Sequence, residues 1–119
     1  MTGRPGGVHD PQMDRSQFLQ LADACLEEVA NRLESFDPDE VDFTAADGVL
    51  KIEFPDRVTF VLNRQTAADQ MWLAAGARAW HFDWSGDAWL DDRDGGELYE
   101  RLAEVMGAKL GREVDMGGA

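Results

Sequence analysis

Gln70-Met71-Trp72-Leu73-Ala74 decides how this chain is read. Successive side chains of a strand point to opposite faces, so Met71 and Leu73 share one face and Gln70, Trp72 and Ala74 the other. With Met71 and Leu73 turned to a core, Trp72 stands on the outer, polar face, where a large aromatic marks a contact surface. Asn63-Arg64-Gln65 upstream and Trp80-His81-Phe82-Asp83-Trp84-Ser85-Gly86-Asp87-Ala88-Trp89 downstream continue the same run of short strands.

Working outward, alternation of apolar and polar residues predicts strands over 41–45, 50–54, 58–63, 70–74, 79–84 and 88–91. Asp47-Gly48 is a hairpin signal between the first two, and Pro55-Asp56 marks the next turn. Before the strands, Phe18, Leu21, Ala22, Cys25, Leu26, Val29, Leu33 and Phe36 recur at helical spacing. Asp14 is the expected N-cap, Met13 and Phe18 form a hydrophobic staple, and Pro38 sets the end near Phe36 or Asp37. After the strands, Asp94 is the expected cap of a second helix with Glu97 at its third position. Leu98, Leu102, Val105 and Met106 form its apolar stripe, Gly107 is a candidate for shortening it, and Gly111 for stopping it. The order of helix, five or six strands and helix, without β-α-β alternation, predicts an α+β fold. Asp42, Thr44, Lys51, Glu53, Thr59, Asn63, Gln70 and Trp72 all fall opposite the apolar positions. Only one sheet face is then apolar, so the N- and C-terminal helices pack together on that face of an antiparallel sheet, a two-layer α/β sandwich.

The chain of 119 residues, 44% hydrophobic, is the size of one domain with a real core. Residues 1–13 read as a disordered Gly/Pro-rich extension, 14–112 as the folded domain and 113–119 as a C-terminal tail, with Met13 an alternative start to Met1. Eleven Lys and Arg against 24 Asp and Glu give a net charge of -13, which repels nucleic acid and anionic membranes and attracts cations and basic proteins. No apolar run approaches the ~20 residues that span a bilayer. The single cysteine, Cys25, on the core stripe of its helix, reads as a buried inert thiol and fits a reducing cytoplasm. His81 reads as an outward, hydrogen-bonded strand residue, and Trp80, Trp84 and Trp89 as core or turn packing.

Two surfaces emerge. Asp23, Glu27, Asn31 and Glu34 follow one another at spacings of four, four and three along a single helix stripe, which runs into Asp37, Asp39, Glu40 and Asp42. From Glu34 to Asp42, five of nine residues are acidic and none is basic, so the ridge is expected to lack local compensation and to await a cation or a basic partner. Carboxylates suit hard cations, and without His or Cys nearby the binding should be weak, delocalised and salt-sensitive. The second surface is the outer sheet face with Asn63, Gln65, Gln70 and Trp72, apolar area rimmed by hydrogen-bonding groups. No phosphate-cradling loop, catalytic triad or Glu-x-x-His pair is present.

Asn63-Arg64-Gln65, Gln70-Met71-Trp72-Leu73-Ala74 and His81-Phe82-Asp83-Trp84-Ser85-Gly86-Asp87-Ala88-Trp89, with Leu21-Ala22-Asp23, Asp47-Gly48-Val49-Leu50 and Asp92-Arg93, together resemble the frataxin family, particularly its bacterial CyaY-type members. The likeness runs from about Phe18 to Leu110, in order and with matching spacing. It implies a cytoplasmic, non-enzymatic iron-binding protein that regulates iron–sulfur cluster assembly through the cysteine desulfurase and its scaffold protein, as iron donor or iron-dependent inhibitor. The resemblance places Fe2+ or Fe3+ weakly on Asp23, Glu34, Asp37, Asp39 and Asp42, with Glu27 and Glu40 as additions and other divalent cations competing. It places partner binding on Asn63, Gln65, Gln70 and Trp72, in a monomer able to form iron-dependent oligomers. Asn31 and Ser35 stand where bacterial relatives often have acids. The alternatives are a ferroxidase or iron-storage protein, and a metal-independent acidic adaptor for a basic partner.

Overall fold

A computed structural model describes residues 13–117; residues 1–12, with Met1 and nearly all of the expected N-terminal extension, and residues 118–119 of the expected tail lie outside it. Helix α1 (Arg15–Leu33) is followed by six strands, β1 (Asp42–Ala46), β2 (Val49–Glu53), β3 (Thr59–Gln65), β4 (Gln70–Ala75), β5 (Arg78–Trp84) and β6 (Trp89–Asp91), and by helix α2 (Leu98–Leu110). The strands form one antiparallel sheet in sequence order, so each pairs with its chain neighbour. This is the α+β two-layer sandwich expected from the strand pattern.

Turn chemistry sets the register. Asp47 (φ 55°) and Gly48 (φ 79°) both adopt the left-handed region, which a two-residue hairpin loop of this kind requires. Gly48 has a second reason to lack a side chain, because a Cβ there would lie 2.6 Å from Arg64 Nε. Gly76 closes the β4–β5 hairpin, pairing Ala75 with Arg78 and hence Trp72 with His81. Cross-strand rows follow from these registers. Leu50, Leu62, Leu73 and Trp80 form one row on the helix-covered face, and all four are buried. Val49, Asn63, Trp72 and His81 form the matching row on the opposite face.

The helices supply the other half of the core. Phe18, Ala22, Cys25, Val29 and Leu33 are buried on α1, and Leu98, Leu102 and Met106 on α2. Phe18 meets Trp89 edge-on at 6.1 Å between ring centroids. Met13 packs against this core, and Met116, in the segment set apart as a tail, is itself buried.

Two helix boundaries differ from expectation. Helix α1 stops at Leu33, not near Phe36: the amides of Ser35 and Phe36 donate three residues back, to Arg32 and Leu33, and the Ser35 hydroxyl also donates to the Arg32 carbonyl. That tightens the last turn before Pro38 takes effect. Helix α2 is capped by Glu97, not Asp94. A bridge between Leu90 and Glu97 holds Glu97 extended, so the helix cannot begin sooner, and its carboxylate accepts from the Tyr99 and Glu100 amides. Asp94 instead accepts from the Gly96 amide and from Arg101.

Gly107 lies inside α2 without shortening it; a Cβ at this position would approach the Arg112 carbonyl oxygen to 2.8 Å. Helix propensity alone would make Gly107→Ala stabilising by about 1 kcal/mol. The contact with a backbone atom reverses the sign, so a net loss of about 1–2 kcal/mol is expected by urea denaturation, as for an overpacked site. A raised urea midpoint would show that the chain after α2 yields freely.

Candidate functional site

The open sheet face is built in two rows. Asn63, Trp72 and His81 form the first; Gln65, Gln70 and Asp83 form the second. The Trp72 indole stacks on the His81 imidazole, 4.2 Å between centroids and 17° between planes. Its Nε1 donates to Gln70 Oε1 at 2.9 Å, and Gln70 Nε2 donates in turn to Asp83 Oδ1 (3.0 Å) and Asp92 Oδ2 (3.2 Å). A stacked aromatic pair adds roughly 0.5–1.5 kcal/mol beyond its area, and the amide relay fixes the indole about its remaining torsion. Trp72 is therefore half-buried by its own neighbours and presented in one orientation. All four residues expected on this face are there. Asn63 donates through Nδ2 to the Arg64 carbonyl at 3.1 Å. His81 is outward as expected, but it meets Trp72 by stacking.

The acidic ridge is only partly as expected. Asp23, Glu27, Glu34, Asp37, Asp39 and Asp42 are exposed and Glu40 is half-buried. Compensation does arrive, from residues distant in sequence. Arg64, at the end of β3 on the helix-covered side, passes over Gly48 to pair with Asp23. Arg112, beyond α2, grips Glu40 through both nitrogens at 2.5 and 2.9 Å. Asp37 Oδ1 accepts from the Asp39 amide at 2.9 Å and Asp42 Oδ1 from the Phe43 amide at 2.9 Å. The expectation of an uncompensated ridge is thus corrected at Asp23 and Glu40, because the sheet and the C-terminal segment bring arginines to it. Among the described residues, no group of three His, Cys, Asp or Glu side chains is arranged to hold a metal ion. Glu27, Glu34, Asp37, Asp39 and Asp42 offer monodentate oxygens spread along an exposed edge, suited to a hydrated hard cation held loosely.

Cys25 is buried, and burial pushes its thiol up to about 12, so it is neither thiolate nor ligand at neutral pH. Trp89 and Trp80 are core residues, with the Arg78 and Arg101 guanidiniums 4.7 and 5.2 Å from the Trp80 ring centre. Trp84 packs edge-on against Trp89 at 5.2 Å.

Residues 11–112 match the sequence profile of the family described as Frataxin-like domain. The chain belongs to the frataxin family. It is 41% identical over 103 residues to the iron-sulfur cluster assembly protein CyaY of Dechloromonas aromatica (strain RCB), covering 86% of this chain and 97% of that protein. Its fold is similar to that of frataxin from Psychromonas ingrahamii, with a TM-score of 0.80 at 29% identity over 89% of this chain and all of the other. It also resembles trimeric frataxin from the yeast Saccharomyces cerevisiae complexed with ferrous iron, with a TM-score of 0.58 at 25% identity over 88% of this chain and 92% of that one. The frataxin sheet thus carries Trp72 on the face away from both helices in this chain.

The paired carboxylates give a pH signature. A hydrogen bond from Arg112 holds Glu40 below the ordinary carboxylate range, and one from Lys109, then the Val58 amide, does the same for Asp56. A depressed folded-state value means that the contribution is fully present above the unfolded-state value and is lost as pH falls through the folded one. Because protonation also relieves the general acidic repulsion, the readout is a difference. Below about pH 4, near the unperturbed carboxylate values, the wild type should lose more of its urea midpoint than Glu40→Gln/Asp56→Asn does. Parallel curves would mean that neither pair contributes.

Proposed function

We propose that this protein is a non-enzymatic, iron-binding regulator of iron–sulfur cluster assembly that docks on the cysteine desulfurase and its scaffold. The observation that carries the reading is the Trp72 indole, fixed by Gln70 and His81 on the sheet face opposite α1 and α2. A rigid aromatic ringed by amide groups is the composition of an interface hot spot, and holding it still in the free protein lowers the entropy lost on docking. Membership of the frataxin family, and likeness to a protein named for iron–sulfur cluster assembly, support the pathway. A ferrous complex of the yeast relative supports iron as cargo.

Iron on the ridge would be held by Glu27, Glu34, Asp37, Asp39 and Asp42, with Asp23 and Glu40 released from Arg64 and Arg112 when a competing cation arrives. The same carboxylates face a basic surface of the desulfurase, so iron and partner influence each other's binding reciprocally. High salt weakens both, as it does for exposed charges. The proposed compartment is the cytoplasm, which the unpaired Cys25 suits.

The test is desulfurase activity with and without this protein, at low and high Fe2+ and at two salt levels, alongside binding by Trp72→Ala. Trp72→Ala should lose more than tenfold in affinity while costing about 1–2 kcal/mol of stability, the worth of one stack and one hydrogen bond. Unaltered desulfurase binding by a folded Trp72→Ala protein would overturn the docking face.

A further inference from the structure

A cavity of about 520 Å3 opens on the helix side of the sheet, between α1, the first turn of α2 and the turn joining β5 to β6. It shares no lining residue with the acidic ridge or with the open sheet face. Trp84, Trp89 and Tyr99 give it aromatic walls, and Leu21 and Cys25 of α1 contribute apolar surface. Among the described residues its charged lining groups are Glu28, Asp87, Glu97 and Glu100, with no Lys, Arg or His. We propose that this cavity binds a small organic cation, an alkylammonium or alkylguanidinium group whose stem lies against the aromatic walls.

Size, walls and charge each narrow the ligand. The volume falls within the few hundred to about 1,000 Å3 usual for small-molecule sites, and apolar walls with a few charged groups are their usual composition. Among the described residues none of the four carboxylates is ion-paired, although Arg15, Arg32, Arg64, Arg101, Lys109 and Arg112 all pair elsewhere. A bare metal ion is disfavoured because the carboxylates do not converge, as the lack of any metal-holding group of three indicates for the described residues. A cation with an aliphatic stem satisfies both halves of the cavity, since its charge meets carboxylates and its methylenes cover tryptophan. Two carboxylates have other duties: Glu97 caps α2, and Asp87 accepts from the Ser85 hydroxyl at 2.8 Å. Glu28 and Glu100 are left to recognise the ligand. Glu28 and Glu97 both also push up the Cys25 thiol and the Tyr99 hydroxyl, behind burial as the main cause. Their field is therefore felt at the cavity wall, and Cys25 meets a ligand as a neutral thiol.

The test is an NMR titration of the full chain, without iron or partner, following the tryptophan indole N–H signals. The probes are n-butylammonium, n-butylguanidinium, neutral 1-pentanol and a capped lysine peptide. The indoles of Trp84 and Trp89 should shift saturably with the cations while that of Trp72 stays still. Glu28→Gln or Glu100→Gln should weaken the effect about two- to fivefold, the worth of one exposed charge contact, and the ridge variant Asp39→Asn should leave it unchanged. A capped lysine peptide that binds more tightly than butylammonium assigns the site to a partner's side chain; equal or weaker binding assigns it to a free cation. Failure to saturate, equal response to 1-pentanol, parallel movement of Trp72, or indifference to both glutamate variants would each overturn the proposal.

Discussion

Leu50, Leu62, Leu73 and Trp80 line up across four strands on one side of the sheet, and α1 and α2 together supply the apolar surface that buries them. Strand periodicity ties everything else to that constraint. Once this row is buried, the row of Val49, Asn63, Trp72 and His81 one residue along must point the other way. Among the described residues, no helix remains to cover it. The open face is a consequence of how two amphipathic helices cover one apolar sheet face, and Trp72 is held there by side chains of its own face.

The ridge depends on the same geometry less directly. Helix α1 must present Phe18, Ala22, Cys25, Val29 and Leu33 to the sheet, which turns Asp23, Glu27 and Glu34 to solvent. Arg64 then links the two surfaces. It stands between Asn63 and Gln65 in the chain, yet points to the helix side and pairs with Asp23. On the proposed function, a cation that claimed Asp23 would free this arginine beside Asn63 and Gln65, a physical route by which iron and partner would sense one another.

Much of this was legible in the sequence because it rests on local patterns. The alternation in β2 through β5 identifies the buried face, and five residues alone place Trp72 on the outer one. Alternation turns His81 outward, but its place under Trp72 depends on the register. That register was available in principle: a two-residue loop at Gly76-Ala77 pairs Trp72 with His81 by counting back from the turn. Arg64 and Arg112 could not be assigned in this way, since their partners lie 41 and 72 positions away in sequence. The cap of α2 departs from the local pattern because a single bridge at Glu97, a tertiary feature, outweighs the good local cap at Asp94. The aromatic cavity was invisible for the same reason, as its walls come from three separate segments.

On the proposed function, one edge of this molecule takes iron loosely, through carboxylates that the described fold does not draw together, while the opposite sheet face meets a partner. Titration of the 15N-labelled protein with Fe2+ under anaerobic conditions, read by amide broadening, distinguishes this from a closed metal site. Graded, salt-sensitive broadening is expected from Glu27 through Asp42, with α2 and the Trp72 indole spared. A sharp stoichiometric endpoint at one site, or unchanged ridge signals at millimolar iron, would contradict it.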